Sequence, residues 1–247
     1  MVRPSFGRAP SLAVGQITKS MDSFPRNFVV KDGRVFTIDF ARSDELNEVV
    51  QFLKDHFFST SPNCYLVNRT NGPDDGLLNY ISGCVKDPVS FTVRDSAGRL
   101  AAIRLNELEE PGALHHAALN PPAAPEKTSL IMSLLGDLEE GIDLFTTFKT
   151  KKILALAMMA VDKTFGQLGL ATTLVRLSLE LAKANGAGAV KVCAVSQHAA
   201  KVAAKNGLET IRTIDYATYE FNGVKPLAHL TDLLAEHPVA LFMARQI

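Results

Sequence analysis

The chain has few cysteines, no tryptophan and no surplus of either charge sign. Three cysteines in 247 residues argue against a disulfide framework and favour a reducing compartment, for which we take the cytoplasm. Lysine plus arginine and aspartate plus glutamate both number 26, and this balance argues against a protein held to nucleic acid by its phosphates. No apolar run reaches the ~20 residues that cross a bilayer. We therefore expect neither a nucleic-acid nor a membrane partner.

Metal-binding patterns are also missing. No spacing among Cys64, Cys84 and Cys193 indicates zinc. The adjacent residues His115 and His116 have no third metal ligand nearby in the sequence. We therefore expect no metal.

The first 28 residues contain four basic residues and one acid. We interpret residues 1–28 as a loosely ordered extension, with an organelle-targeting segment as the alternative. No change in composition divides the remainder, and residues 29–247 are predicted to form one domain.

Periodicity predicts an α/β fold. Hairpins are expected at Asp32-Gly33 and at Asp95 to Gly98, and a helix is expected after Ser43. The stretch 128–148 has helical spacing, and 106–127 reads as a long loop. The run "ILALAMMAV" (153–161) is apolar on both faces, as in a central strand covered on both sides. A long helix, a strand, a short helix and two strands complete a mixed sheet flanked by helices.

A glycine-containing turn, "GQLGLA", joins the apolar strand to the long helix. A helix start of this kind directs free backbone N–H groups at one spot and suits a phosphate. The turn matches neither G-x-G-x-x-G nor G-x-x-x-x-G-K-[ST]. Glycine also permits tight packing, so the turn alone leaves both interpretations open.

The wider stretch "AVDKTFGQLGLATTLVRLSLELAKANGAGAVKV" resembles motif A of the GNAT superfamily of acetyl-CoA-dependent N-acetyltransferases. Gly169-Leu170-Ala171 matches the second half of that family's loop, and Gly166 stands where its Arg or Gln would be. "DPVSFTVRDSAGRLAAIRLNEL", "YATYEFNGVKPL" and "HPVALFMARQI" are similar to the insect-type arylalkylamine N-acetyltransferases, as is the order of motifs from about residue 29 onward.

The resemblance implies a GNAT-like, mostly antiparallel sheet and an acetyl-CoA co-substrate. It also implies a small primary amine as acceptor, which attacks the thioester directly after entering between the loops at 58–64 and 107–127. Backbone groups would hold the pantetheine and the diphosphate. The implied cofactor-binding residues are Met159, Val161, Gly166, Gln167, Leu168, Gly169, Leu170, Ala171 and Thr172.

The chain departs from the family at the catalytic acid. A family motif like Phe-Phe-x-Asp-Glu-Pro reads "FFSTSP" here, which leaves Thr60 and Ser61 in place of the acids. The candidate catalytic residues are Ser61, Ser196 and His198, although Ser196 also suits a helix N-cap and His198 a surface position. For four further candidates, packing or a helix-end position is the simpler interpretation: His56, Cys193, Tyr216 and Tyr219.

Two functions from different classes remain open. One is an active N-acetyltransferase, with a longer acyl donor possible because Ala155, Ala157 and Ala160 are small. The other is a catalytically impaired or non-catalytic acyl-CoA-binding protein, because the usual glutamate is replaced.

Overall fold

The computed structural model describes residues 24–61, 72–112 and 126–247, with side chains from 130 onward in the last range. One eight-stranded sheet runs through it in the order β1-β2-β3-β4-β5-β6-β8-β7. The strands are β1 (Arg26–Val29), β2 (Val35–Phe40), β3 (Phe91–Asp95), β4 (Leu100–Glu109), β5 (Ile153–Val161), β6 (Ala189–Ala194), β7 (Glu209–Asp215) and β8 (Val239–Gln246). All neighbours pair antiparallel except β5 and β6. The predicted mixed, mostly antiparallel sheet flanked by helices is confirmed.

The helices are α1 (Leu46–Leu53), α2 (Asp75–Lys86), α3 (Glu126–Glu139), α4 (Leu144–Thr147), α5 (Leu170–Ala184), α6 (Gln197–Lys205) and α7 (Thr231–Glu236). A 3-10 turn, Ser43–Glu45, leads into α1, and a π-helical turn, Lys54–Phe58, continues it. None of the helices in the described ranges is long and apolar enough to span a bilayer.

Both predicted hairpins form, with Gly33 and Gly98 at positive φ in their turns. The sheet begins slightly earlier than predicted, because Arg26–Val29 is a strand and part of it fell in the expected extension. Residues 1–23 of that extension lie outside the described residues.

Two helical segments differ from the sequence prediction. Helix α2 occupies a stretch for which the sequence analysis predicts no element, and the Asp74 side chain accepts a hydrogen bond from the Leu77 amide (2.9 Å) at its N-cap. The predicted helix over 128–148 divides into α3 and α4. Gly141 has φ 68°, which no continuing α-helix can contain.

Helices cover both faces of the sheet. Side chains alternate along β4, so that Ala102 packs in the core beneath α5 while Ile103 packs beneath α1 and α2. The same alternation in β6 directs Val190 toward α5 and Cys193 toward α3. The sheet therefore separates an α5–α6 face from an α1–α2–α3 face.

The parallel pair β5 and β6 is short and then diverges. Only Ile153, Leu154 and Ala155 of β5 pair with β6, opposite Ala189 to Lys191. From Leu156 onward β5 pairs with β4 alone, and a register shift at Leu105 and Asn106 leaves Ala157 as an extra, bulged residue. A V-shaped gap therefore opens in the middle of the sheet toward the carboxyl ends of both strands.

The closed end of this gap is fixed at Gly188. Its amide donates to the Lys152 carbonyl and to the Thr150 hydroxyl, both at 3.0 Å. A Cβ at this position would lie 2.6 Å from the Thr150 Cβ, so only glycine fits. The two halves of the sheet are thus joined tightly at one end and separated at the other.

Candidate active site

The predicted phosphate loop follows β5 directly. Asp162 ends the strand, and its carboxylate accepts hydrogen bonds from the amide and hydroxyl of Thr164 (2.8 and 2.9 Å). These bonds lower the pKa of Asp162, against the opposing effect of its burial. Phe165 then anchors the turn in the core, where its ring meets the Phe36 ring edge-on at 5.4 Å. The loop that follows is therefore held at a fixed place beside the gap.

Two residues of the loop have left-handed backbone conformations, Gln167 (φ 61°) and Gly169 (φ 82°). Gly169 is the N-cap of α5, and nothing lies within 4 Å of the place where its Cβ would be. Gly166 has an ordinary extended conformation, and its Cβ would lie 3.1 Å from the Lys163 carbonyl oxygen. The positive φ at position 169 therefore favours glycine, and the space that a side chain would occupy there is open. At position 166 only the close contact with Lys163 favours glycine.

The main-chain amides next to Gly169 have no hydrogen-bond partner in the part of the chain that the structure describes. The amides of residues 167–172 make no hydrogen bond to any described group, and the first intrahelical bond of α5 runs from the Thr173 amide to the Gly169 carbonyl (2.9 Å). These amides lie at the positive end of a 15-residue helix. An anion bound here would be held by main-chain N–H groups and by the helix dipole.

Beyond the loop, β5 and β6 present unpaired edges to each other across the gap. Met159 and Val161 lie on the part of β5 that pairs with β4 but not with β6, and their side chains pack toward the α5 face. The free edge of β5 can accept an extended chain as an added strand. Whether Met159 and Val161 pair with a cofactor in this way stays a prediction.

A cavity of about 150 Å³ lies at the gap on the α1–α2–α3 face. Its walls combine residues from both diverging strands with residues from α2, α3 and the turn after α1. Among the described residues the lining consists of Phe57, Phe58, Ser61, Leu77, Tyr80, Glu109, Ile131, Met132, Leu135, Glu139, Ala155, Leu156, Ala157, Met158, Lys191, Val192, Cys193 and Val195. Most of this surface is apolar, and two of the lining residues, Leu156 and Val192, belong to the core on the α5 face of the sheet.

The cavity contains a buried ionic cluster. Lys191 Nζ contacts Glu109 Oε2 at 2.9 Å and Glu139 Oε2 at 2.6 Å, and Cys193 Sγ lies 3.4 Å from Glu139 Oε1. The side chains of Lys191 and Glu109 are 10% and 7% exposed. Burial opposes the charge of Lys191, but the two glutamates outweigh it and raise the Lys191 pKa. The lysine therefore stays protonated and fixes both carboxylates.

Sequence reasoning missed this cluster, although one signal was present. Lys191 is a lone charged residue in the apolar strand "AVKVCAV". A charge in a strand buried on both faces needs an opposite charge inside the protein. Its partners come from β4 and α3, which the sequence does not place beside β6.

The predicted catalytic residues do not converge. Ser61 lines the cavity, whereas Ser196 and His198 are not among its described lining residues. The Ser196 hydroxyl accepts a hydrogen bond from the Ala199 amide (3.1 Å) as the N-cap of α6. His198 is exposed on α6, with its ring 5.7 Å from the His237 ring. The helix-cap and surface interpretations thus describe the positions of Ser196 and His198, and a catalytic role for either stays a prediction.

Other candidate residues have structural partners. The Tyr216 hydroxyl donates to the Val195 carbonyl (2.8 Å), and the Tyr219 hydroxyl donates to Asp137 Oδ2 (2.7 Å). Burial raises the pKa of both phenols, that of Tyr219 to about 12. Burial also raises the pKa of the Cys193 thiol, with Glu139 adding to the shift, so Cys193 is a poor nucleophile.

Potential ligand atoms of His198, Glu236 and His237 lie within 4.8 Å of one another, and two of these residues are exposed. His237 Nδ1 already accepts a hydrogen bond from the Gln197 amide (3.4 Å). The adjacent His115 and His116 and most of the long loop lie outside the described residues, as does Pro62 of "FFSTSP".

Comparison with solved structures gives the fold a family context. No family model matches the sequence. The chain is similar to arylalkylamine N-acetyltransferase 2 from Aedes aegypti, with 25% identity, a TM-score of 0.78, and coverage of 86% of this chain and 99% of the other. It is also similar to the Drosophila melanogaster polyamine N-acetyltransferase, with 18% identity, a TM-score of 0.74, and coverage of 86% and 100%. The fold is also similar to that of Arabidopsis thaliana NAA60 in complex with acetyl-CoA, with 9% identity, a TM-score of 0.51, and coverage of 86% and 99%.

The chain has the fold of the GNAT N-acetyltransferases, and its similarity to arylalkylamine N-acetyltransferase 2 supports an N-acyltransferase. Among such enzymes the chain resembles the insect arylalkylamine N-acetyltransferases, as the sequence motifs indicate.

Proposed function

We propose that the protein is an acetyl-CoA-dependent N-acetyltransferase that acts on a small primary amine. One observation carries the proposal. Main-chain amides at the start of α5, without a hydrogen-bond partner among the described residues, follow the strand β5 that borders the gap, and a mostly apolar cavity lies at the gap. A cofactor with a diphosphate at one end and a thioester at the other matches this series of features. The cysteine usage favours the cytoplasm as its location.

The residues have separate tasks in this proposal. The amides of 167–172 hold the diphosphate, and the Thr172 hydroxyl adds a donor. The pantetheine arm lies along β5 at Met159 and Val161 and reaches the other face through the gap. The acetyl group then lies near the bulge at Ala157, where an unpaired strand amide can stabilise the oxyanion of the tetrahedral intermediate.

The chemistry needs a neutral amine beside the thioester carbon. The amine nitrogen attacks that carbon and loses a proton, the carbon–sulfur bond breaks, and the proton passes to the departing thiolate, which gives the amide and free CoA. Holding amine and thioester together can lower the barrier by about 7–11 kcal/mol even without a strong base. The cavity lining around Phe57, Phe58 and Leu135 suits an amine with an apolar body.

Replacement of the family's acid by Ser61 favours a second candidate, a non-catalytic acyl-CoA-binding protein. Ser61 lies in the cavity, and a hydroxyl is too weak a base to replace a carboxylate. This candidate retains the cofactor site and lacks turnover.

Two measurements separate the candidates. Calorimetric titration with CoA tests the cofactor site, and release of free thiol from acetyl-CoA with a panel of primary amines tests turnover. We expect CoA binding together with amine-dependent thiol release above the buffer rate. CoA binding without turnover would favour the non-catalytic candidate, and absence of CoA binding would reject both.

A further inference from the structure

Ser61 places a neutral polar group in the wall of the cavity. It is 7% exposed, it lines the cavity, and its hydroxyl has no hydrogen-bond partner among the described residues. Its backbone is fixed, because its amide donates to the Phe57 carbonyl at 2.7 Å. The side chains of Phe57 and Phe58 line the same cavity. A buried hydroxyl of this kind is satisfied when a ligand in the cavity bonds to it.

The acids in the wall of the cavity are already paired. Among the described lining residues they are Glu109 and Glu139, and Lys191 Nζ contacts both, at 2.9 and 2.6 Å. A carboxylate that pairs with a lysine has less to gain from a proton or from a second cation. The stretches 62–71 and 113–125, outside the described residues, contain neither aspartate nor glutamate and so supply no carboxylate. Among the groups that the structure describes, the cavity thus offers an acceptor amine a neutral hydroxyl and apolar walls.

This environment discriminates against amines that are protonated in water. An alkyl ammonium with a pKa near that of lysine, about 10.4, is neutral in only about one molecule in 2,500 at pH 7. It must either release its proton to water before it enters or lose the hydration of its charge in apolar surroundings. An amine whose conjugate acid has a pKa below about 6 has neither cost at pH 7. Amines bound directly to an aromatic ring are of this kind, because the nitrogen lone pair is delocalised into the ring.

We propose that the acceptor is an aromatic amine, with its amino group bound directly to the ring, and that the Ser61 hydroxyl accepts a hydrogen bond from that amino group. This assignment rests on the proposed function, because acetyl-CoA supplies the thioester. The ring packs against Phe57, Phe58 and the other apolar lining residues. A hydrogen bond donated by the amine leaves the nitrogen lone pair available for attack. The nitrogen bonds to the acetyl carbon, the carbon–sulfur bond breaks, and one amine proton passes to the sulfur, which gives an N-acetyl aromatic amine and free CoA.

The test compares two isomers that differ in the position of the amino group. 4-Methylaniline carries it on the ring and is mostly neutral at pH 7, whereas benzylamine carries it on a methylene group and is mostly protonated. Each is titrated calorimetrically at pH 7 and pH 8 into the protein saturated with CoA. We expect 4-methylaniline to bind at least tenfold more tightly at pH 7, with an affinity that does not change with pH. The affinity of benzylamine is expected to rise about tenfold between pH 7 and pH 8, because only its neutral form binds.

Substitutions at position 61 test the role of the hydroxyl. Ser61→Glu adds a carboxylate to the cavity wall and is expected to tighten benzylamine binding at least tenfold at pH 7 and to remove its pH dependence. Ser59→Glu, at an exposed residue that is not among the described lining residues, is expected to leave both affinities unchanged. Ser61→Ala is expected to weaken 4-methylaniline binding about threefold, through loss of one hydrogen bond. A thermal melt shows whether each variant is folded, and if Ser61→Glu is not, the unaltered protein and Ser61→Ala still decide the result.

Several results would overturn the inference: equal or tighter binding of benzylamine at pH 7, an affinity for benzylamine that does not rise with pH, or no binding of 4-methylaniline. Unchanged affinity for 4-methylaniline in a folded Ser61→Ala variant would overturn the role of Ser61. Release of free thiol from acetyl-CoA is measured separately with each amine. If 4-methylaniline binds as expected but is not acetylated, the assignment of the acceptor stands and the proposed activity fails. If benzylamine binds as a cation and is acetylated, the activity stands and the assignment fails.

Discussion

Substituting Gly169 by leucine tests the cofactor loop with a matched control. Gly169 (φ 82°) and Gly223 (φ 76°) have nearly the same left-handed backbone, and neither would place a Cβ within 4 Å of another atom. A non-glycine residue in this conformation costs about 1–2 kcal/mol. At about 2–4 °C per kcal/mol for a chain of this size, both variants should lose about 2–8 °C in melting temperature.

Only the change at Gly169 should affect the cofactor. Gly169 lies within the run of amides 167–172, which have no hydrogen-bond partner among the described residues, and a leucine side chain would fill the open space at this position. A hydrogen bond from an amide to a charged group contributes about 1.5–3 kcal/mol. Loss of two such bonds weakens CoA binding by about 10²- to 10⁴-fold.

Calorimetric titration with CoA measures the effect of each substitution on cofactor binding, and a thermal melt measures its effect on stability. We expect Gly169→Leu and Gly223→Leu to melt at similar temperatures while only Gly169→Leu loses affinity. A folded Gly169→Leu protein that binds CoA within threefold of the unaltered chain would refute the placement of the diphosphate.

Three further outcomes follow from buried groups elsewhere. Lys191→Met should lower the free energy of unfolding by about 3–5 kcal/mol, because two buried carboxylates lose their shared cation; a urea titration showing a loss below 1 kcal/mol would contradict this. Arg104→Met should cost less than about 1 kcal/mol by the same assay. Burial lowers the pKa of Arg104 to about 9, its Nη2 has no partner in the described ranges, and the Asn106 Oδ1 that accepts from its Nε (3.0 Å) still accepts from the Ser178 hydroxyl (3.4 Å), so a loss above 3 kcal/mol would contradict it. In a Cys64→Ala background at pH 8, a disulfide reagent should leave Cys84 and Cys193 unmodified in the native state: burial raises the Cys84 pKa to about 12 and that of Cys193 well above its usual value, and rapid labelling would show a reactive thiolate instead.

Local chemistry explains what the sequence could predict. The Asp-Gly turns, the strand that is apolar on both faces and the Asn185-Gly186 end of α5 each depend on residues close together in the chain. The glycine at the start of α5 is local in position, but its left-handed backbone could not be predicted, because an N-cap residue usually has an extended backbone.

The features that escaped prediction depend on packing between distant segments. Helix α2 is stabilised by burial of Ile81, Cys84 and Val85, although Gly76 and Gly83 weaken its helical pattern. The gap between β5 and β6 and the bulge at Ala157 are properties of strand pairing, which periodicity does not encode. The ionic cluster likewise requires three elements to meet.

The glycine at the closed end of the gap has a mechanical consequence. The two half-sheets meet at a pivot, where Gly188 rests against Thr150, and their free ends diverge several residues away. A small change in the angle between β5 and β6 at this contact therefore produces a larger displacement at the far ends of the two strands. Gly188 and Thr150 do not line the cavity, so we expect substitutions at this contact to change the width of the gap while the cavity lining stays intact.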